Sequence, residues 1–504
     1  MKIYAQFFFI CGLLILLAFQ GFPQKKFINI NDADSSNGEL ILAEAGNKEI
    51  TVREFIYGYE FGPAFPKRVK NSKEVYLNYL INEKLLAGEG YSRHLDTVSI
   101  VKENLYGLET DMATEEMFKD QIMKQVKISD KEISEAVNKK LVSVELKWLF
   151  APNRDSLNFY LNNINKGVKF DSLFNAQLIN SVFADQRSWK TDLFNMEQKS
   201  SMIAGVVKNQ KAGAISSPVE GPDGWYIFKI VNVWKEVLPN ESEIAKLKED
   251  SQRVLEKDKM DSLSDNYIKH IFVDLDPQID GKVFYILRLY LAKYKVSQEK
   301  FSEWNLEEKL INALSALDSV KQDLNSLKLV NMKNGSYSIK DFIDWLRYRD
   351  RLLKFNDSDF NGFSGSVESF VWRMVRDNSL TKIAFEKGYQ NKMEIQEKLG
   401  WWKDKIMYAL IRDNIINSVP LKDKKESFKY ENDPLSDDAN KKLLHTILAL
   451  KQKNKISINK DLLNEIKVEN ENDPRAIEVY TVKKDGIFPH PAYPSIDLLW
   501  QNWQ

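Results

Sequence analysis

This chain is poor in cysteine, in unbalanced charge and in long apolar runs. Its only cysteine is Cys11, which sits inside an N-terminal apolar stretch, so the chain beyond that stretch can form no disulfide framework and no thiolate metal site. A cysteine-free exported chain suits an oxidising compartment. Lys and Arg together number 72, as do Asp and Glu. Without a basic stripe, the electrostatic footprint of a nucleic-acid binder is missing. The four histidines, His94, His270, His445 and His490, are scattered and lack ligand spacing such as H-x-x-x-H, which argues against a metal site. No Gly-rich phosphate loop and no Ser/His/Asp grouping stands out, so no cofactor is expected. The one apolar run, Phe7 to Phe19, is about 13 residues long, enough for a signal-peptide core and short for a membrane span. Residues 1–22 are therefore read as a leader. Cys11 follows Phe8-Phe9-Ile10 rather than a small-residue lipobox, which argues against a lipid anchor.

What is present is aromatic and helical. Aromatics make up 12% of the chain, with 11 Trp, more than a small core suggests, which leaves room for client-facing grooves. At 504 residues the length implies several domains. In the middle, Val144-Glu145-Leu146-Lys147-Trp148-Leu149-Phe150 reads as a strand. Gly213 follows a Lys-rich helical segment and fits a left-handed helix stop. Gly221-Pro222-Asp223-Gly224 is a turn signal and leads into Tyr226-Ile227-Phe228-Lys229-Ile230-Val231-Asn232-Val233-Trp234, a β-rich run readable as a buried central strand. Ile215 and Val219 flank small residues and Pro218, which suits a short edge strand or loop. Helical spacing fills the interval between the outer strands.

Those residues resemble a parvulin-type peptidyl-prolyl isomerase domain. Gly167-Val168-Lys169-Phe170-Asp171-Ser172-Leu173 matches the family's Gly-x-x-Phe-x-x-Leu, and Asp192-Leu193 falls where its Gly-Asp-Leu-Gly turn would be. Gly213-Ala214-Ile215-Ser216-Ser217-Pro218-Val219, followed by Gly224-Trp225-Tyr226-Ile227-Phe228-Lys229-Ile230, matches its ending. The family carries a His directly before an Ile-Leu pair in the first strand and another after the closing Gly-aromatic pair. Aligned this way, Lys147 and Tyr226 replace them. Rotation about an X-Pro bond crosses a barrier of roughly 20 kcal/mol and needs an apolar slot with polar groups that favour the twisted amide. The resemblance places that slot near Phe194, Met196 and Ile203, beside Lys147 and Tyr226; the alternative is that Phe194, Met196 and Ile203 are core residues. No catalytic residue is assigned, and an isomerase activity that is weak or lost is expected.

A second pattern occurs twice. Leu40-Ile41-Leu42-Ala43, the turn Gly46-Asn47-Lys48 and Ile50-Thr51-Val52-Arg53-Glu54-Phe55 read as a hairpin running into a helix. Thr51 would be the N-cap and Glu54 would complete a capping box. Lys333-Asn334-Gly335 and Tyr337-Ser338-Ile339-Lys340-Asp341-Phe342 repeat it, with Ser338 at the cap. The first copy followed by the parvulin-like stretch resembles the SurA-like exported chaperones. In these, a piece of chain after the isomerase domain returns to complete a helical body. The helix of residues 237–271, with Ile244, Leu247, Val254, Leu263 and Tyr267 at helical spacing, suits that piece, and Val273-Asp274-Leu275-Asp276-Pro277 resembles its closing strand.

The expected organisation is thus multidomain α+β. It comprises a leader (1–22), an N-terminal SurA-like helical domain (38–140), a parvulin-like α+β domain with a small antiparallel sheet (141–236) and a returning helix, closing strand and helical region (237–328). A second helical module (329–425) and a charged C-terminal region with a Pro/aromatic tail (426–504) follow. The function this implies is a periplasmic folding factor for unfolded outer-membrane or secreted polypeptides. The alternatives are an active isomerase with an altered site, or a structural subunit of an envelope assembly or secretion complex. Pro489, Pro491 and Pro494 forbid a helix across 486–494 of the tail 486–504, while its Tyr493, Leu498, Leu499 and Trp500 either staple it to the body or dock it on such a complex. Docking is the expectation carried forward.

Overall fold

The computed structural model describes residues 27–178, 184–208, 210–237, 240–419, 437–483, 487 and 489–503. The expected leader, 1–22, lies outside them. The chain is multidomain α+β and divides into two compact units, one built from residues up to Lys119 together with those from Phe272 onward, the other from Asp120–Ile271.

In chain order, strands β1 (Ile41–Ala45) and β2 (Lys48–Thr51) lead into helices α1 (Val52–Glu60), α2 (Ser72–Ser92) and α3 (Ser99–Gln121). Helix α4 (Asp130–Lys140) precedes β3 (Val142–Ala151), α5 (Arg154–Asn165), α6 (Phe170–Leu178) and β4 (Ser188–Asp192). Next come α7 (Leu193–Lys199), α8 (Ser201–Val207), β5 (Val219–Gly221), β6 (Gly224–Lys235) and the long α9 (Glu241–Leu275). Strand β7 (Gln278–Ile279) is followed by α10 (Gly281–Lys295), α11 (Gln298–Glu303), α12 (Glu307–Ser319), β8 (Lys328–Met332) and β9 (Gly335–Ser338). Helices α13 (Ile339–Arg349), α14 (Phe360–Glu386), α15 (Met393–Asn417) and α16 (Asp437–Lys453) come next. Strand β10 (Ile456–Ile458), helix α17 (Lys460–Glu465) and strands β11 (Val482–Lys483) and β12 (His490–Pro491) complete the order.

The discontinuous unit contains both copies of the hairpin–helix pattern. Gly46 turns the first hairpin with φ 67°, a conformation open to glycine at little cost. Thr51 Oγ1 accepts the Glu54 amide at 3.1 Å, so the N-cap forms. The Glu54 carboxylate, however, is buried and pairs with Lys84 Nζ at 2.6 Å instead of closing the expected capping box. In the second copy Ser338 and Asp341 do close one, with the Asp341 amide 3.2 Å from Ser338 Oγ and the Ser338 amide 2.7 Å from the Asp341 carboxylate.

Each hairpin gains a third strand. Strand β7 pairs with β8, Gln278 opposite Asn331. The closing strand expected at Val273–Pro277 is displaced: the helix runs through Leu275, and Asp276 turns the chain with φ 47°. Strand β10 pairs with β1, Ala43 opposite Ile458. The elements that complete the first module are thus α15, α16, β10 and the tail. Met407, Tyr408 and Ile411 of α15, Leu443 and Ile447 of α16, and Trp500 join Phe55, Ile56, Tyr76 and Leu86 in one core. The helix at 237–271 expected in that role belongs to the other unit, and the only buried residue of α9 is Ser251. A second core packs Leu287, Phe301, Leu329, Phe342, Phe363 and Met374 under the second copy.

The tail is packed into its own unit. Trp500 is 0% exposed, its ring lies 5.6 Å from Tyr79, and its Nε1–H donates to Glu83 at 2.9 Å. Tyr493 stacks on Tyr57 at 4.4 Å. The expectation of docking is therefore corrected: burying these rings inside the fold removes the apolar surface that suggested an external partner.

The Asp120–Ile271 unit is organised by an antiparallel sheet in the order β4-β3-β6-β5. Strand β5 is the short edge strand expected near Val219. In β3 and β6 Leu146 lies opposite Ile230 and Phe150 opposite Tyr226, so even-numbered residues from Leu146 to Phe150 share a face. That face carries Val144, Leu146 and Ile230 onto Met196, Ala204 and Val207 from the α7–α8 region. The opposite face packs Leu149, Ala151 and Ile227 on Leu157, Phe170 and Phe174. Gly224 has φ 153°, and a Cβ there would lie 2.6 Å from the Ala151 carbonyl oxygen, so the turn into β6 needs glycine. Helix α8 ends at Val207, ahead of Gly213; the left-handed Gly213 (φ 88°) sits in the following loop and donates to the Ile230 carbonyl at 2.7 Å.

Candidate functional site

The structure separates Lys147 from Tyr226. In strand register Lys147 lies opposite Lys229, and Phe150 opposite Tyr226, which puts the two expected site residues on opposite faces of the sheet. Lys147 Nζ sits 5.3 Å over the Phe174 ring, while neighbouring Lys229 pairs with Asp171 at 2.6 Å. The residue that shares Tyr226's face is Trp148, the one directly before Leu149-Phe150. Because side chains alternate along a strand, an offset of one residue in matching the family pattern exchanges the faces.

On that face Trp148, Phe150, Tyr226 and Phe228 form an aromatic cluster. The Phe150 and Tyr226 rings are 5.2 Å apart, Tyr226 and Phe228 are stacked at 5.7 Å, and Trp148 lies 6.2 Å from Phe228. Arg187 stands 5.7 Å over Phe150 and is held by Gln177, whose amide also donates to the Phe150 carbonyl at 2.9 Å. The Tyr226 hydroxyl donates to Asp223 at 2.5 Å. Burial, with the Asp223 carboxylate adding to it, pushes this phenol up to about 12, so it stays protonated at neutral pH. Such a surface can hold an apolar ring by stacking.

The residues expected to line the proline slot have other positions. Met196 is 0% exposed, between Val144, Leu146 and Ile230. Ile203 packs on the same cluster, half-buried. Phe194 is buried, with Lys140 Nζ 5.2 Å over its ring. They fill the core of the unit, the alternative that their sequence pattern left open. The described residues hold no group of three or more His, Cys, Asp or Glu placed to bind a metal ion.

A second candidate site lies in the discontinuous unit, where α3, α13 and α14 enclose a cleft of about 1040 Å³. Tyr106, Trp345, Tyr348 and Phe385 contribute aromatic surface to it; Tyr106 is 57% exposed and stands edge-on to Phe385 at 6.1 Å. Several charged groups there pair with one another: Arg347 lies 3.5 Å from Glu103 and 3.4 Å from Asp344, and Lys340 also pairs with Asp344. Below them Trp345 Nε1–H donates to Asp377 at 2.9 Å, and Arg349 lies 3.3 Å from the same carboxylate. Sequence reasoning missed this cleft, because its walls come from segments more than two hundred residues apart with no shared motif. The local sequence, Asn104-Leu105-Tyr106-Gly107-Leu108, carries no signal that sets Tyr106 apart.

The sequence matches no protein-family model, and no curated protein matches it. Among solved structures it is similar to the peptidylprolyl isomerase PrsA of Bacillus anthracis, at 11% identity over 38% of this chain and 96% of that one, with a TM-score of 0.22. Foldase protein PrsA of Streptococcus pneumoniae gives 13% identity over 44% and 87%, with a TM-score of 0.23. A SurA-like chaperone structure from Campylobacter jejuni gives 13% identity over 46% and 95%, with a TM-score of 0.13. Values this low assign neither family nor function. Among the described residues, no helix is long and apolar enough to cross a membrane.

Proposed function

We propose that the protein is an exported, periplasmic folding chaperone of the SurA-like, parvulin-containing kind, which binds unfolded outer-membrane or secreted polypeptides and turns X-Pro bonds weakly or not at all. The observation that carries this reading is the cleft between α3, α13 and α14, large enough for several side chains of an extended polypeptide. Its aromatic walls gain energy by covering apolar client surface. Of its charges, Glu103, Lys340, Asp344 and Arg347 are already paired with one another and impose little selection by sign, which suits a binder of many sequences. No nucleotide is needed for such capture, since burial itself drives it. The aromatic face at Trp148, Phe150 and Tyr226 would add a second contact for apolar or proline rings, without the paired histidines that the family pattern carries.

Because the tail's rings lie inside the fold, this reading gives residues 486–504 no partner in an assembly or secretion complex. The test is light scattering of a refolding β-barrel client with the full-length protein and no ATP. Suppression of aggregation that weakens several-fold in Tyr106→Ala/Phe385→Ala supports the proposal. Equal suppression by this variant and the parent removes the cleft from the function, and no suppression by the parent removes the chaperone reading.

A further inference from the structure

A buried histidine of the C-terminal segment meets α3. His490 is 6% exposed and Asp111 0% exposed. His490 Nε2 lies 2.8 Å from Asp111 Oδ2, and Nδ1 lies 2.7 Å from the Pro491 carbonyl oxygen. A carbonyl oxygen and a carboxylate oxygen both accept, so a ring carrying hydrogen on both nitrogens suits the two contacts. The close approach of Nε2 to the Asp111 carboxylate is an ion-pair contact that favours the imidazolium.

The charges around it are consistent with that form. Glu115, also on α3, acts on the ring but is itself paired with Lys119 at 2.9 Å and with Lys483 of β11 at 3.3 Å. Glu394 of α15 acts on Lys119, and Arg349 of α13 feels Asp111. Strand β11 pairs with β12, Lys483 opposite His490, so the ring sits where the strand pair meets the helix. Immediately beyond it come Tyr493, stacked on Tyr57 and Phe61, and then Trp500.

We propose that this contact is a protonation-operated latch: the imidazolium of His490 holds the β11–β12 pair and the segment after it on α3, and loss of its proton loosens that segment from the helix and uncovers Tyr57 and Phe61. Burial works against the charged ring, yet Asp111 and the Pro491 carbonyl outweigh it and raise His490 above its ordinary 6.5. A histidine raised on folding stabilises fully below its ordinary value, and that contribution fades as pH climbs through the raised one. The latch is therefore closed below the ring's ordinary value and opens as pH climbs through its raised one.

Hydrogen exchange of the full-length chain, corrected for intrinsic rates and read over 490–501 across this pH range, tests the device. Protection of this segment should fall about tenfold as the ring loses its proton, while Val367–Val375 in the second core stays level. His490→Gln should show the low protection at every pH with no step, and Asp111→Asn should move the step to lower pH. A flat profile in the parent, a step that survives in His490→Gln, or a step shared by Val367–Val375 would each overturn the latch. Should His490→Gln fail to fold, Asp111→Asn decides: an unmoved step refutes the proposal.

Discussion

Replacing Trp500 by Ala separates a tail that belongs to the core from one kept for a partner. The indole is fully buried, stacks on Tyr79 and lies 6.1 Å from Tyr408. Truncating a buried Trp to Ala costs about 3–5 kcal/mol through lost transfer energy and the cavity left behind. The lost hydrogen bond to Glu83 adds little, because that carboxylate keeps Lys405 at 2.8 Å and the Asp497 amide at 2.7 Å and is not stranded. An overall loss of about 4 kcal/mol is therefore expected. At roughly 2 °C per kcal/mol for a unit of this size, the melting transition of the discontinuous unit should fall by roughly 8 °C. Trp500→Phe keeps most of the stacking area and should lose about half as much. Circular dichroism melts of the three proteins are sufficient. If Trp500→Ala melts within about 2 °C of the parent, the indole is not part of the core and the packing argument fails.

Three further outcomes are expected. Lys84 lies between Glu54 at 2.6 Å and Asp404 at 2.8 Å, so Lys84→Met should cost about 3–5 kcal/mol near neutrality by leaving buried carboxylates under-compensated. Burial alone would push Asp404 up, but Lys84 and Lys48 hold it below 3.8. Its stabilising share is thus present above that value and lost as pH falls through the lower folded one. Without Lys84 both carboxylates rise, and urea titrations should show the deficit of Lys84→Met narrowing as pH falls towards about 5; a deficit constant with pH would refute this. NMR of labelled tyrosine should find Tyr226 ionising near 12, and Asp223→Asn should bring it down towards 10; no movement means that Asp223 is not a cause. In a protease-coupled assay, prolyl isomerisation by the parent should be barely detectable. Trp148→His/Tyr226→His, whose positions are diagonal neighbours roughly 7 Å apart on one face, should gain turnover that Lys147→His/Tyr226→His does not. Equal gains would contradict the strand register.

The parts of the fold written in short stretches were legible. Val144–Phe150 and Tyr226–Trp234 were recognisable as strands from their β-formers and the Gly-rich turn between β5 and β6, and the caps at Thr51 and Ser338 follow from side chains three residues from the amides they accept. Glu54 shows where local reading stops. Its expected return to the cap is outcompeted by Lys84, brought alongside by tertiary packing. The candidate site meets the same limit. Assigning Lys147 and Tyr226 to one cluster required knowing which face each strand residue occupies, and one step along β3 exchanges Lys147 for Trp148. The cleft, and the pairing of β1 with β10, join segments whose adjacency no local pattern encodes. The tail's burial was one of two alternatives that the sequence left open, since buried and docking aromatics look alike in composition.

The pairing of Ala43 with Ile458 also sets an order of events in the life of each molecule. The hairpin of β1 and β2 leaves the ribosome early, but the strand that covers its outer edge follows only after about 400 more residues, and the indole that covers Tyr79 later still. Closing so long a loop is slow, and until it closes the newborn chain carries a bare strand edge and an uncovered aromatic core, the two features that most readily recruit other chains. A chain interrupted before Ile456 would keep both permanently, and one interrupted between Ile458 and Trp500 would keep the uncovered aromatic core. Premature termination or a C-terminal nick should therefore yield an aggregating or rapidly degraded fragment rather than a shortened working protein.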